Sequence, residues 1–256
     1  MTKKDVTEQD AWHDLKCFTF ARIALGRAGG SLRTNDWLDF KLAHAKARDA
    51  VHEAFNSEAL LDDLRCDGQE GLVLESQIKD KANYLRWPDL GRCLDASSKD
   101  KLKKYAQTVD LVIVVSDGLS ARAVHMHSRK LLAILMPKLE QAGWSIAPIV
   151  IVRFARVAVE DEIGSVIGAK LALMLIGERP GLGSADSLGA YLVCDPKVGN
   201  TDADRNCVSN IRPVGLTYEA AAETLFYLLS MAKMRNVSGV ILKDDRIQTK
   251  AALELK

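Results

Sequence analysis

Apolar runs of strand length recur in the second half of this 256-residue chain, each parted from the next by a stretch of helical period. Asp110 to Ser116 reads D-L-V-I-V-V-S, Ala147 to Arg153 reads A-P-I-V-I-V-R, and Lys170 to Ile176 reads K-L-A-L-M-L-I. Near-continuous aliphatic runs of this length suit strands that are covered on both faces. Between the first two, Leu119 to Gln141 repeats with helical period and closes at Gly143. Val159 to Gly168 predicts a short helix before the third run. Strand–helix–strand order implies parallel strands joined by right-handed crossovers. The fold class expected is therefore α/β, a Rossmann-like parallel sheet with flanking helices. A further strand is expected at Leu188 to Cys194, and a last helix at Tyr218 to Met234 capped by Thr217.

The first hundred residues have a different period and read as a smaller helical region. Trp37 to Ala54 carries apolar and alanine positions at helical spacing, with Asn35 or Asp36 as its expected cap. His44, Arg48 and His52 fall on one side of that helix. Eight residues between the histidines is too far for one metal ion, so a polar face or partner contact is expected there. The stretch F-A-R-I-A-L-G-R-A-G-G (20–30) reads as a loop or an anion-binding turn. Between Ser76 and Lys101 the chain is polar and broken by Pro88 and Gly91, which puts a domain boundary near residue 100. The division is thus 1–100, helical, and 101–256, Rossmann-like.

Charge and cysteine usage exclude several classes. The 35 basic and 34 acidic side chains leave no broad basic field for nucleic acid. The longest apolar runs are far too short to span a bilayer, and no apolar segment follows the first lysines, so neither a membrane span nor a signal peptide is expected. Cys17, Cys66, Cys93, Cys194 and Cys207 are scattered and odd in number. That pattern suggests reduced thiols and argues against a structural zinc site; no metal ligands are assigned.

On a parallel sheet, ligands bind beyond the carboxyl ends of the strands. The turns at 116–120, 154–159 and 177–183 should share that rim. The last of these, G-E-R-P-G-L-G, fails the phosphate-loop pattern because no lysine follows Gly181. It fails the dinucleotide pattern because Asp186 stands where a third glycine is needed. Ser120 lies in G-x-S-x-R rather than G-x-S-x-G, so a hydrolase elbow is disfavoured and a helix cap is the simpler role. His125 and His127 are too close in sequence to converge from a helix. The segment T-D-A-D-R-N-C-V-S-N-I-R-P (201–213) is rich in groups that bond directionally. It reads either as a solvated loop or as a ligand or partner loop.

Seven segments carry a resemblance. They are F-A-R-I-A-L-G-R-A-G-G-S (20–31), L-A-H-A-K-A-R-D-A-V-H (42–52), W-P-D-L-G-R (87–92), V-S-D-G-L-S-A (115–121), V-A-V-E-D-E-I-G (157–164), I-G-E-R-P-G-L-G (176–183) and D-R-N-C-V-S-N-I (204–211). In this order they resemble the small subunit of ethanolamine ammonia-lyase over nearly all of the chain after about residue 15. The resemblance implies an adenosylcobalamin-dependent lyase that converts ethanolamine to acetaldehyde and ammonia. It implies a large barrel subunit as partner, with the cobalamin clamped between the two chains and residence in a bacterial microcompartment. The cofactor in that family keeps its own nucleotide base on cobalt, which agrees with the lack of D-x-H-x-x-G here. Carried across by motif, Val157, Glu178 and Cys207 are expected to contact the cofactor: Val157 as an apolar wall, Glu178 as an acceptor for amide NH2 groups, Cys207 as a small soft contact. No residue is expected to be catalytic. The alternative is a scaffold or targeting subunit with no cofactor contacts.

Overall fold

The computed structural model describes residues 9–19 and 21–246. Two short strands, β1 (Arg27–Ala28) and β2 (Ser31–Leu32), form an antiparallel hairpin. Gly29, with φ of 62°, supplies the left-handed residue that its two-residue turn requires. The loop expected at 20–30 is therefore a hairpin over its second half; Phe20 lies outside the described residues.

Helix α1 (Thr34–His52) follows, and Ala50 is its one buried residue. It starts three residues earlier than expected. Neither Asn35 nor Asp36 caps it: the N-cap is Arg33, and Asp36 instead accepts a hydrogen bond from the Arg33 Nε at 2.7 Å. Helix α2 (Ser57–Cys66) is capped by Asn56 and buries Leu60, Leu61 and Leu64 on the sheet.

The stretch read as polar and broken is ordered. Strand β3 (Gly71–Glu75) comes just before it. Asp80 caps helix α3 (Lys81–Arg86), and Asp95 caps helix α4 (Ala96–Lys103). Pro88 opens a 3-10 turn, where its missing N–H costs nothing.

The rest alternates as expected: β4 (Val109–Ser116), α5 (Ala121–Gln141), β5 (Ile149–Arg153), α6 (Val159–Ile167), β6 (Ala169–Gly177) and β7 (Leu188–Cys194). Then β8 (Arg205–Ile211) leads to α7 (Tyr218–Arg235), capped by Thr217. Six strands form one sheet in the order β3-β5-β4-β6-β7-β8. The first four run parallel, whereas β7 and β8 are antiparallel to their neighbours. The sheet is thus mixed rather than wholly parallel. After β6 the chain returns through a turn instead of a helix, and a turn can join only antiparallel strands.

Side chains alternate along β4 and feed two cores. Leu111, Ile113 and Val115 pack with α2, α5 and α7 on one face. Val112 and Val114 pack with α4 and α6 on the other. All eight β4 residues are buried, which explains why its sequence shows no polar alternation.

Candidate functional site

Where β4, β5 and β6 end, three turns are tied into one rim. The buried Asp117 accepts the Phe154 N–H at 2.8 Å, and Ser116 Oγ accepts the Ala155 N–H at 3.2 Å, so the ends of β4 and β5 are bolted together. Burial pushes the Asp117 carboxyl above its ordinary range, against the pull of Lys81. Gly177 closes the other side. The Leu119 N–H donates to its carbonyl at 3.0 Å, and a Cβ at Gly177 would be driven into the carbonyl oxygens of Ser120 and Asp117. This close approach is what the glycine at the end of the third apolar run is for.

The rim opens into a crevice of about 430 Å³ lined by Tyr84, Leu119, Arg156, Val157, Ile176, Gly177, Glu178, Arg179 and Tyr191. Two of the three expected site residues, Val157 and Glu178, therefore meet in one place. Cys207 is next door: it pairs with Tyr191 across β7 and β8. Its thiol is exposed on an edge strand rather than packed in the core. Desolvation by its neighbours nonetheless pushes the thiol pKa up, which keeps it protonated and a poor nucleophile.

Glu178 is held on one side and open on the other. Its Oε2 accepts from the Ser187 hydroxyl and from the Asn210 N–H, the latter at 3.2 Å. Its Oε1 lies over Gly189, where a Cβ would stand 2.9 Å from it. Gly189 sits at an irregularity in the β7–β8 pairing, so the bulge and the missing side chain together make room for the carboxylate.

Arg156 was not singled out from sequence, and it is one of the residues that line the crevice. Its guanidinium lies 4.0 Å from the Tyr84 ring centroid and donates to the Tyr84 carbonyl at 2.7 Å. Its Nε is buried without a hydrogen-bond partner among the described residues. Lys81 reaches the opposite part of this cluster, donating to the Gly118 carbonyl at 3.0 Å. A signal was present: a lone arginine in a rim turn beside Val157.

The remaining sequence candidates have structural roles. Ser120 is buried; it accepts the Ala123 N–H as the α5 cap and donates to the Ala185 carbonyl at 3.1 Å. Such a hydroxyl is not free to attack anything. His125 and His127 diverge, as expected. His125 accepts the Asn56 N–H at 3.2 Å, and His127 bonds the Tyr218 hydroxyl at 2.8 Å. His44, Arg48 and His52 line a hollow against Pro180, Gly181 and Leu182, so the polar face of α1 looks at the glycine turn. Among the described residues no cluster of His, Cys, Asp or Glu is placed to hold a metal ion. The segment 201–213 is not a loop over its middle: seven of its residues are β8.

A family model described as ethanolamine ammonia-lyase light chain (EutC) matches residues 9–243. The chain belongs to this family. Among its relatives, the ethanolamine ammonia-lyase small subunit of Pseudomonas fluorescens (strain Pf0-1) is 52% identical over 97% of this chain and 93% of its own length. The small subunit of Azotobacter vinelandii (strain DJ / ATCC BAA-1303) is 50% identical over 96% and 92%. That of Ralstonia nicotianae (strain ATCC BAA-1114 / GMI1000) is 51% identical over 92% and 89%.

Proposed function

We propose that this chain is the small subunit of an adenosylcobalamin-dependent ethanolamine ammonia-lyase, and that its rim crevice covers one part of the cofactor against the large subunit. The observation that carries the reading is that Val157 and Glu178 line one crevice, with Cys207 on the strand beside it. A corrin is a wide apolar ring fringed with amides, so it wants apolar walls and a few placed donors and acceptors. Leu119, Val157 and Ile176 offer the walls. In this reading Glu178 Oε1, which takes neither of the hydrogen bonds held by Oε2, accepts from an amide NH2. At about 430 Å³ the crevice takes an edge of such a ligand, near the lower end of the roughly 300–1,000 Å³ typical of pockets for drug-sized molecules. The rest would lie on the large subunit.

Bound adenosylcobalamin supplies the radical that starts the rearrangement. This chain's residues bind and orient; none of them moves a proton or attacks the substrate. In this reading residues 101–256 carry most of the cofactor-facing wall, with Tyr84 reaching in from the first hundred, and the exposed faces of residues 1–100 meet the large subunit. Residence in a bacterial microcompartment is part of the same proposal and is tested by whether the tagged chain co-purifies with shell particles.

The deciding experiment is co-expression with a matching large subunit, assayed for acetaldehyde from ethanolamine with and without adenosylcobalamin. Activity that needs both chains and the cofactor supports the reading. Full activity from the large subunit alone would reduce this chain to a scaffold.

A further inference from the structure

Behind the crevice lies a buried ionic cluster that the clamp does not use directly. Arg205, Glu160 and Asp161 are 7%, 0% and 2% exposed. One Arg205 nitrogen, Nη1, donates to Glu160 Oε1 at 2.8 Å and to Asp161 Oδ1 at 2.9 Å. The other, Nη2, donates to Asp161 Oδ2 at 2.5 Å and to the Asn200 carbonyl at 3.3 Å. Two carboxylates face one guanidinium, and burial drives the Glu160 carboxyl toward its neutral form against the pull of Arg205. Such a cluster contributes little net stability, because three apolar side chains of similar volume would do as well. What the planar, bidentate fork does supply is a fixed distance and angle between the elements it joins.

Those elements flank the crevice: α6 follows the turn that presents Val157, and β8 pairs with the strand that presents Tyr191. Arg205 begins β8, and Cys207 is two residues on, so both side chains leave the same face of the strand. Glu160 and Asp161 stand in the first turn of α6, and the Glu160 N–H donates to the Val157 carbonyl at 3.1 Å. A short covalent and hydrogen-bonded path thus runs from Cys207 through Arg205 and Glu160 to Val157. We propose that Arg205 is a positioning residue that sets the strand presenting Cys207 against the turn presenting Val157. This inference rests on the cofactor-clamp reading.

The test uses the reconstituted complex of both subunits, with adenosylcobalamin affinity read from its visible absorbance on titration, alongside kcat, KM and Tm. Arg205→Lys keeps the charge and loses the fork. It should raise the cofactor Kd about tenfold while kcat at saturating cofactor stays within about twofold. Asp161→Asn, a milder cut to the same fork, should raise Kd about threefold, and it carries the test alone if Arg205→Lys does not assemble. Wild-type Kd in the assembled variants, even with a lowered Tm, would mean a purely structural role and overturn the proposal. A fall in kcat without a change in Kd would overturn it too. Val157→Trp, which fills the crevice, separates the two ideas. If that variant binds cofactor normally, the clamp reading fails and this inference with it. If it binds weakly while the Arg205 and Asp161 variants bind normally, only the positioning role is lost.

Discussion

The Asn210 backbone N–H donates to the Glu178 carboxylate at 3.2 Å, so one side chain spans from the end of β6 to β8 across the intervening strand. Asn210 has a φ of 61°, a left-handed conformation that asparagine tolerates better than most residues. Glu178 is therefore a strut of the rim, and in the proposed clamp its other oxygen is the acceptor for the cofactor's amides.

Glu178→Ala removes both roles. The apparent KM for adenosylcobalamin should rise by about tenfold or more, and the loss of two hydrogen bonds should cost roughly 1–3 kcal/mol of stability. Glu178→Gln keeps an acceptor and should fall between wild type and the alanine variant. An unchanged KM for Glu178→Ala would remove this residue from the clamp.

Gly177→Ala tests the rim itself. The new methyl group has nowhere to go but into the Ser120 and Asp117 carbonyls. We expect a loss of about 1–3 kcal/mol or more, as for other overpacked sites, seen as a lower Tm of the isolated chain. Gly183→Ala, where a Cβ meets nothing within 4 Å, is the control and should melt like wild type.

Cys207→Ala distinguishes a soft contact from a nucleophile. With a thiol held above its ordinary pKa, turnover should stay within roughly fivefold of wild type. Abolished turnover in a variant that still binds cofactor would contradict the assignment.

Acid stability should depend on Asp110. Burial works against its charge, but hydrogen bonds from Lys233 at 2.8 Å and Lys170 at 3.0 Å, with Ser145, outweigh it and hold the carboxyl well below the usual range. A depressed carboxyl stabilises the fold above its unfolded pKa of about 3.9, and that contribution fades as pH falls through the folded value. The Tm difference between wild type and Asp110→Asn should therefore be largest near neutral pH and shrink progressively below about pH 5. A difference that stays constant down to pH 3 would show that the ion pairs are not its source.

Much of the sheet was legible because buried parallel strands announce themselves by composition. β4, β6 and β7 lie within one or two residues of expectation. Within the six-stranded sheet, the strands that escaped notice are its two edges. β3 is five residues long and only half-buried, and its G-L-V-L-E gives little to count. β8 exposes Cys207, Ser209 and Asn210 to one side, so R-N-C-V-S-N-I looks like loop chemistry while its backbone pairs with β7. Val157 and Glu178 were reached through family motifs, and their meeting in one crevice needed the fold. Arg156 was passed over although it stands alone in a rim turn beside Val157, because its packing on Tyr84 depends on a residue 72 positions away.

Helix α1 buries one residue out of nineteen. Isolated helices shorter than about 12–15 residues are marginal in water, and slightly longer ones draw most of their stability from packing. Among the described helices of the free chain, α1 is one with little to hold it, and it should open before the sheet does. On the unaccompanied chain, proteases should cut there before they cut the sheet. A partner that covered α1 would therefore lengthen the life of the protein, quite apart from anything the crevice does.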